Sequence, residues 1–283
     1  MRFERCASEA PVRVAVIDSG IDASVLGRRP AEVSAARFAL DAVGGPDAPP
    51  LCRLPPVGDP LGHGTEVARL ILAAAPDAQL LDAQVFADDR PVAGLAAVAT
   101  VAVVATAIDW AIAQGAQLIN FSLGLREDCW VLRHACARAR AGGVLLVASA
   151  PARGGPVYPA TYPGVLAATG DARCAEGQWS FLERSPGVMV GPAALVGACP
   201  GPRSAGEVGG GASYAAARLC GLLARWVQMQ SPVGPGADIA TPVIEHLATG
   251  AAYRGRERYY SEYAACPSPT LPSRSSIRTA SPR

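Results

Sequence analysis

The stretch Val12-Arg-Val-Ala-Val-Ile-Asp18-Ser-Gly20 decides the fold of this chain. Its first six residues are mostly β-branched and apolar, which is typical of a strand that is buried on both faces. The run ends in Asp18-Ser-Gly20, a tripeptide that favours a turn. The stretch therefore predicts a buried strand that carries a carboxylate, Asp18, at its carboxyl end.

Similar apolar runs recur along the chain and alternate with helical patterns. We predict strands over 79–86, 117–122, 144–148 and 164–169, and helices over 65–75, 99–114, 130–141 and 213–230. Residues 41–62 are rich in Pro and Gly and are predicted to form a loop. This alternation predicts an α/β fold of three layers, a doubly wound and mostly parallel sheet with helices on both faces. Ligands bind such sheets at the carboxyl ends of the strands.

Two further glycine-flanked stretches, Gly62-His63-Gly-Thr65 and Gly211-Ala-Ser213-Tyr-Ala215, complete a chemical set with Asp18. Acyl transfer by a hydroxyl needs a nucleophile, an imidazole that takes its proton and a carboxylate that orients the imidazole. Taken singly, each residue has a plain alternative. Asp18 would belong to an ordinary turn, His63 to a loop near a helix start, and Ser213 would cap the helix behind it.

Ordered matches to one known family extend well beyond these three residues. They include Val14-Ala-Val-Ile-Asp18-Ser-Gly-Ile-Asp22, Gly62-His63-Gly-Thr-Glu-Val-Ala68, Leu118-Ile-Asn-Phe-Ser122-Leu-Gly124 and Tyr158-Pro-Ala-Thr-Tyr-Pro-Gly-Val-Leu-Ala167. With these motifs, in the order Asp, His, Ser, the chain resembles the subtilisin-like serine proteases from about residue 12 to residue 230. The resemblance implies a subtilisin-like fold.

The resemblance also implies roles for individual residues. Ser213 corresponds to the nucleophile, His63 to the general base and acid, and Asp18 to the residue that orients the imidazole. The segment Ser122-Leu123-Gly124 corresponds to the backbone that pairs with an extended peptide substrate; the alternative is a plain strand end. Residues 93–99 and 148–155 are expected to line the substrate pockets, and their Ala, Val and Gly content predicts apolar walls.

The chain departs from the family where the oxyanion is bound. The family carries an asparagine there, and an alignment without gaps places Ala152 at that position, preceded by Pro151. Ala212 stands where a threonine usually precedes the nucleophile. Neither alanine donates from its side chain, so we expect slow turnover. Arg153 is either a replacement donor or a solvated surface arginine, and an amide of Asn120 that points at Ser213 would overturn this interpretation.

Composition limits the partners. Of 283 residues, 50% are hydrophobic and 17% charged, and the formal net charge is +1, so neither nucleic acid nor an anionic membrane is expected as the main partner. The eight cysteines are scattered and the N-terminus has no apolar signal-peptide core, which predicts reduced thiols and a cytoplasmic location. Glu66 and Asp77 do not form an oxygen-rich calcium site. No metal and no cofactor are predicted, and the oligomeric state stays open.

These observations define one main domain and one principal function. We expect a short extension over 1–11, a subtilisin-like peptidase domain over 12–265 and a Pro-rich, disordered tail over 266–283. The predicted function is a slow and selective serine endopeptidase that matures an intracellular peptide or protein through an acyl-enzyme on Ser213. One alternative is a pseudopeptidase that binds an extended peptide as a scaffold. The other is acyl transfer to an amine instead of to water.

Overall fold

The computed structural model describes most of the chain between residues 10 and 255. The described ranges are 10–27, 33–39, 52–86, 96–151, 155–184, 194–201, 211–230 and 239–255. The predicted N-terminal extension and the C-terminal tail lie almost wholly outside these ranges. The predicted domain boundaries at 12 and 265 therefore stay predictions.

A single sheet runs through the described part of the chain. Its ten strands are β1 (Arg13–Asp18), β2 (Ser34–Ala39), β3 (Cys52–Leu54), β4 (Gln79–Gln84), β5 (Leu118–Phe121), β6 (Leu145–Ser149), β7 (Leu166–Gly170), β8 (Trp179–Arg184), β9 (Ala194–Ala198) and β10 (Tyr253–Arg254). Their order is β10-β8-β9-β7-β6-β5-β1-β4-β2-β3. Neighbours run parallel except in the pairs β2–β3 and β8–β9. The predicted mostly parallel sheet is confirmed.

Within the described ranges, five helices cover the two faces of this sheet: α1 (His63–Ala74), α2 (Ala96–Ala113), α3 (Trp130–Ala141), α4 (Ala212–Gln228) and α5 (Ala240–Gly250). The apolar residues of β1 alternate between the faces. Val14 and Val16 belong to the core layer that also contains residues of α1, α4 and α5, whereas Ala15 and Ile17 belong to the layer that contains residues of α2 and α3. Both faces of the central strands are thus buried, which explains why β1 and β5 carry nearly continuous apolar runs.

The position of β1 in the sheet explains where a site forms. The chain places β4 on one side of β1 and β5 on the other, so the direction in which strands are added reverses at β1. A crevice opens beyond the carboxyl ends of parallel strands at such a reversal. Asp18 is the last residue of β1 and lies at this point.

Helices α1 and α4 approach each other closely and run side by side. A Cβ built on Gly221 of α4 would lie 2.7 Å from the main-chain oxygen of Ile71 of α1, so only glycine fits there. At the start of the helices, the ring of Tyr214 of α4 lies against the ring of His63 of α1. The contact between the two rings joins the first turns of both helices, and the contact of Gly221 with Ile71 joins residues about two turns later in both. The two helices therefore run parallel. Their N-termini lie together at the sheet edge that carries Asp18.

The sequence predicted the central elements and missed the peripheral ones. Strands β1, β4, β5, β6 and β7 and helices α1 to α4 lie within a few residues of their predicted positions. The loop predicted over 41–62 is wrong in part, because β3 lies within it and pairs with β2. The sequence analysis did not identify β2, β8, β9, β10 or α5. None of the helices in the described ranges combines the length and apolarity that a membrane crossing needs.

Candidate active site

Asp18 and His63 form the best-defined contact of the site. Nδ1 of His63 lies 2.8 Å from Oδ1 and 3.0 Å from Oδ2 of Asp18. An ionised carboxylate only accepts hydrogen bonds, so the imidazole carries its proton on Nδ1 and leaves Nε2 free to accept one. The Asp18 side chain is 4% exposed and that of His63 is 25% exposed, so the contact is shielded while the imidazole still reaches solvent.

The carboxylate of Asp18 is also held from its own strand end. The backbone N–H of Ser19 donates to Oδ1 of Asp18 at 2.7 Å. The turn that follows is tight, since Gly20 has φ +116 and a Cβ there would lie 2.3 Å from the main-chain oxygen of Gly58. Gln84, which is fully buried, donates from Nε2 to the main-chain oxygens of Ser19 and Gly58, each at 2.7 Å. The Asp18 turn is therefore rigid.

Asp59 fixes the start of α1, and the sequence analysis missed it. Its carboxylate accepts five hydrogen bonds, from Ser19 Oγ (2.7 Å), Leu61 N (3.2 Å), Gly62 N (2.9 Å), Thr65 N (2.8 Å) and Thr65 Oγ1 (2.6 Å). It satisfies helix N–H groups that have no acceptor within α1 and places negative charge at the positive helix end. The only sequence signal is a short acidic side chain shortly before a helix start.

Close backbone packing sets the distance between α1 and the Asp18 turn. A Cβ on Gly64 would lie 2.2 Å from the main-chain oxygen of Gly20, so a larger residue would push the helix away. The N–H of Gly64 donates to Ser19 Oγ at 3.1 Å. Glycine at these two positions thus lets His63 come within hydrogen-bond distance of Asp18.

Ser213 lies in the first turn of α4, beside the His63 helix. Its Oγ donates to the main-chain oxygen of Ser122 at 3.4 Å, a long hydrogen bond. The next residue, Tyr214, has its ring centroid 6.0 Å from that of His63, with 27° between the ring planes. The structure therefore pairs Asp18 with His63 and places Ser213 next to the tyrosine that lies against the His63 ring, with the serine hydroxyl turned toward the end of β5. Among the described residues, no hydrogen bond joins Ser213 Oγ to His63.

The predicted peptide-binding segment Ser122-Leu123-Gly124 directly follows β5. Ser122 contacts the nucleophile candidate through its main-chain oxygen, Leu123 is buried, and Gly124 is exposed. The next residue, Leu125, exchanges both backbone hydrogen bonds with Tyr158 at 2.8 Å. The main-chain oxygens of Ser122 and Leu123 accept long hydrogen bonds of 3.4 Å from Ser213 Oγ and Ser149 Oγ, so a peptide that pairs with this edge would compete with these two hydroxyls.

The oxyanion region is described only in part. Ala212 is the first residue of α4, next to Ser213, whereas Ala152 and Arg153 lie outside the described residues. Asn120 does not direct its amide at Ser213, since its Nδ2 donates to Ser122 Oγ at 2.8 Å. The N–H of Ser213 belongs to the first turn of α4, where backbone donors have no acceptor within the helix. Among the described groups, this N–H is the one best suited to donate a hydrogen bond to an oxyanion.

Two groups in and beside the site, His63 and Asp82, have raised pKa values. The hydrogen bond to Asp18 raises the pKa of His63 above the usual 6.5, with burial acting in the opposite direction. Burial raises the pKa of Asp82 in β4 to about 7, and the nearby carboxylates of Asp59 and Asp18 add to this rise. Oδ2 of Asp82 accepts from Ile21 N at 3.0 Å, while Oδ1 has no hydrogen-bond partner among the described residues. Asp82 thus anchors the segment that follows the Asp18 turn.

Glu66 pairs with a cation of its own helix, Arg69. Its carboxylate accepts two hydrogen bonds from the Arg69 guanidinium, one of them from Nε at 2.7 Å. This pair lowers the pKa of Glu66. Within the described ranges, no group of three or more His, Cys, Asp or Glu side chains is placed to hold a metal ion.

The fold and the site define a protein of the subtilisin-like class, and comparison with known proteins agrees. Residues 10–258 match the sequence profile of the Subtilase family, Peptidase_S8. The chain belongs to this family.

Named relatives extend this finding. The chain is 36% identical over 166 residues to a thermostable alkaline protease of Halalkalibacterium halodurans. The aligned region covers 55% of this chain and 40% of that protein. It is 33% identical over 172 residues to the minor extracellular protease Epr of Bacillus subtilis, covering 55% of this chain and 23% of that one. Among solved structures, the S41 psychrophilic protease superimposes with a TM-score of 0.54 at 21% identity, covering 87% and 86% of the two chains. The chain thus spans less than half the length of these two curated relatives, and the structural likeness concerns the fold.

Proposed function

We propose that this chain is a serine endopeptidase in which Ser213 forms an acyl-enzyme with the substrate. The observation that carries the proposal is the contact between His63 Nδ1 and the Asp18 carboxylate at 2.8 Å, at the head of a helix that runs beside the Ser213 helix. This contact leaves Nε2 as the proton acceptor, and Ser213 directly precedes Tyr214, whose ring lies against the imidazole. Few structural roles require an imidazole that is oriented in this way beside a serine at a helix N-terminus.

The reaction follows from these roles. The substrate carbonyl displaces the long contact between Ser213 Oγ and Ser122, and Oγ attacks the carbonyl carbon while its proton passes to Nε2 of His63. The imidazolium is stabilised by the Asp18 carboxylate and then protonates the leaving amine, so that the peptide bond breaks and an ester to Ser213 remains. Water attacks this ester, His63 takes its proton, and the acid product leaves with Ser213 restored.

The substrate is proposed to bind as an added strand along Ser122-Leu123-Gly124. The exposed backbone at Gly124 and the proximity of Ser122 to Ser213 Oγ support this placement. Because a Cβ on Gly124 would lie 3.3 Å from Cβ of Val157, the edge is narrow and apolar there. Small or apolar substrate side chains fit such a wall best.

Slow and selective turnover is proposed from the residues that stand where oxyanion donors are expected. Ala212 offers no side-chain donor, and Ala152 has the same deficit in the sequence alignment. Loss of one such donor lowers turnover by about 10²–10³-fold. The N–H of Ser213, aided by the positive end of α4, supplies the remaining stabilisation. Binding of the substrate at several subsites positions its carbonyl for attack and contributes the rest of the rate enhancement.

We also propose that the protein matures one peptide or protein substrate in the cytoplasm. The cysteines whose side chains are described, Cys129, Cys136, Cys174, Cys199 and Cys220, are free thiols, which suits a reducing compartment. The relative from Bacillus subtilis is named an extracellular protease. Detection of the protein in the cell lysate and not in the culture medium of the source organism is the expected result, and the reverse distribution would contradict the proposed location.

A second candidate function is a pseudopeptidase that holds an extended peptide without cutting it. The observation that favours it is the Ser213 hydroxyl, which donates to Ser122 in this structure. Incubation with a library of synthetic peptides, followed by mass spectrometry, separates the candidates. Linear cleavage products that disappear in Ser213→Ala, but not in the exposed control Ser24→Ala, support the endopeptidase. Cyclic or aminolysed products support acyl transfer, and bound but uncut peptide supports the scaffold.

A further inference from the structure

Tyr214, the residue after Ser213, lies with its ring against the imidazole of His63. The ring centroids are 6.0 Å apart and the ring planes differ by 27°, a geometry within the range of offset-stacked aromatic pairs. Tyr214 comes from α4 and His63 from α1, so the contact joins the two helices that carry the reacting groups. No other described residue contacts His63 with an aromatic ring.

The surroundings hold the Tyr214 ring in place. The ring is half-buried and packs against the apolar core that α1 and α4 share. A Cβ built on Gly201 would lie 3.6 Å from Cδ2 of Tyr214, so the segment after β9 also lies against the ring. Further along, Gly221 brings the same two helices into close contact, so the helix pair that carries the two rings is tightly packed.

We propose that Tyr214 is a positioning residue that holds the plane of the His63 imidazole and favours its protonated form during the reaction. Asp18 holds only the Nδ1 edge of the ring, and a contact on the ring face restricts the remaining tilt. When Nε2 takes the proton of Ser213, the resulting cation lies over the electron-rich face of an aromatic ring, which stabilises it. The proposal rests on the proposed function, because it assumes that His63 transfers this proton.

Charged groups face His63 from two further elements. Asp18 lies at the end of β1 and Asp59 in the segment before α1, and both carboxylates favour the imidazolium. The contribution of Tyr214 must therefore be separated from theirs. Substitutions at position 214 leave both carboxylates in place, which allows this separation.

The experiment is an NMR titration of His63 in four variants of the full chain. The chain has three histidines, so labelled His134 and His246 serve as internal references for the fold. Tyr214→Leu and Tyr214→Met remove the ring with different side-chain shapes, and Tyr214→Phe keeps it. Tyr253→Leu, at a partly exposed tyrosine on β10, is the matched control. Steady-state kinetics on one cleaved peptide accompany the titration.

We expect the Leu and Met variants to move the His63 ring-proton signals downfield, because ring-current shielding is lost. The pKa of His63 should fall by about half a unit, and kcat should fall by about tenfold with KM within twofold. Tyr214→Phe and Tyr253→Leu should match the wild type. Unchanged His63 signals and pKa in both the Leu and Met variants would overturn the proposal, as would an equal loss in Tyr214→Phe. If neither the wild type nor any variant cleaves peptide, the proposed function is wrong. The NMR signals and the pKa of His63 then still show whether Tyr214 positions the imidazole.

Discussion

Among single residues, His63 is the one whose protonation decides the proposed reaction, and it holds a proton on Nδ1 toward Asp18. The hydrogen bond to Asp18 raises the pKa of His63 above 6.5. The base form is therefore available only above this raised pKa, and activity should be lost as the pH falls through it.

This gives a prediction for the pH dependence of kcat/KM. Its acid limb should have a midpoint above 6.5, and Asp18→Asn should move the midpoint to lower pH. The same substitution should reduce kcat by about 10⁴-fold, because the imidazole loses its orientation. A pH series of initial rates measures both effects. Asp109→Asn, at an exposed acid of α2 that pairs with Arg138, is the control and should change neither.

Asp82 gives a second prediction at this scale, on stability. Its pKa is about 7 in the folded chain, whereas a carboxyl in the unfolded chain ionises near pH 4. The folded state binds the extra proton between these values, so stability is lost as the pH rises from about 4 to about 7. Asp82→Asn removes this loss. The difference between the melting temperatures of the variant and the wild type, variant minus wild type, should therefore be larger at pH 8 than at pH 5. An offset that is the same at both pH values would contradict the raised pKa.

At the scale of elements, the N-terminus of α1 is the feature that the sequence showed least clearly. His63 was predictable from its glycine-flanked motif, but Asp59 gains its role from partners that fold against it, such as Ser19 Oγ at 2.7 Å. A local pattern does not contain such a long-range contact. The same holds for Asp82, which bonds Ile21 at a separation of 61 residues.

Asp59→Ala should therefore weaken both the helix start and the site. Loss of a helix cap costs about 0.5–2 kcal/mol in the free energy of unfolding, and the start of α1 should then hold His63 less firmly. Urea denaturation and peptide cleavage measure the two effects. Asp77→Ala, at an exposed acid after α1, is the matched control. If Asp59→Ala unfolds at the same urea concentration as Asp77→Ala, the capping role assigned to Asp59 is wrong.

The contact between α1 and α4 gives a further prediction on elements. Gly221→Ala places a Cβ 2.7 Å from the main-chain oxygen of Ile71, so the helices must separate. Overpacking of this kind costs about 1–3 kcal/mol in the free energy of unfolding. Gly155→Ala is the control, since a Cβ there meets no atom within 4 Å. A Gly221→Ala variant as stable as Gly155→Ala would show that the two helices are not in such close contact.

At the scale of the whole molecule, the predictable part of the fold is its centre. Strands such as β5 and helices such as α3 follow from local apolar patterns, because every residue of β5 is buried. The strands at the edges of the sheet are instead determined by pairing with a neighbouring strand. Strand β3 has three residues in a Pro-rich stretch and exists through its antiparallel contact with β2. Strand β10 has two residues and depends on β8.

The candidate site was predictable for the same reason as the centre. Asp18 ends a buried strand and Ser213 begins a long amphipathic helix, so both follow from local signals. The meeting of these residues is a property of the whole fold, since it requires the reversal of strand order at β1 and the parallel contact of α1 with α4. The polar network that supports them, with Asp59, Gln84 and Asp82, was not predictable without the fold.

If Asp18 and His63 activate Ser213 as a nucleophile, the serine should react with a fluorophosphonate probe. Intact-mass spectrometry counts the adducts, and peptide mapping locates them. We expect one adduct per chain at Ser213 in the wild type, none in Ser213→Ala, and much slower labelling in Asp18→Asn. Folded wild-type protein that remains unlabelled, or an adduct that maps to another residue, would contradict the activation of Ser213.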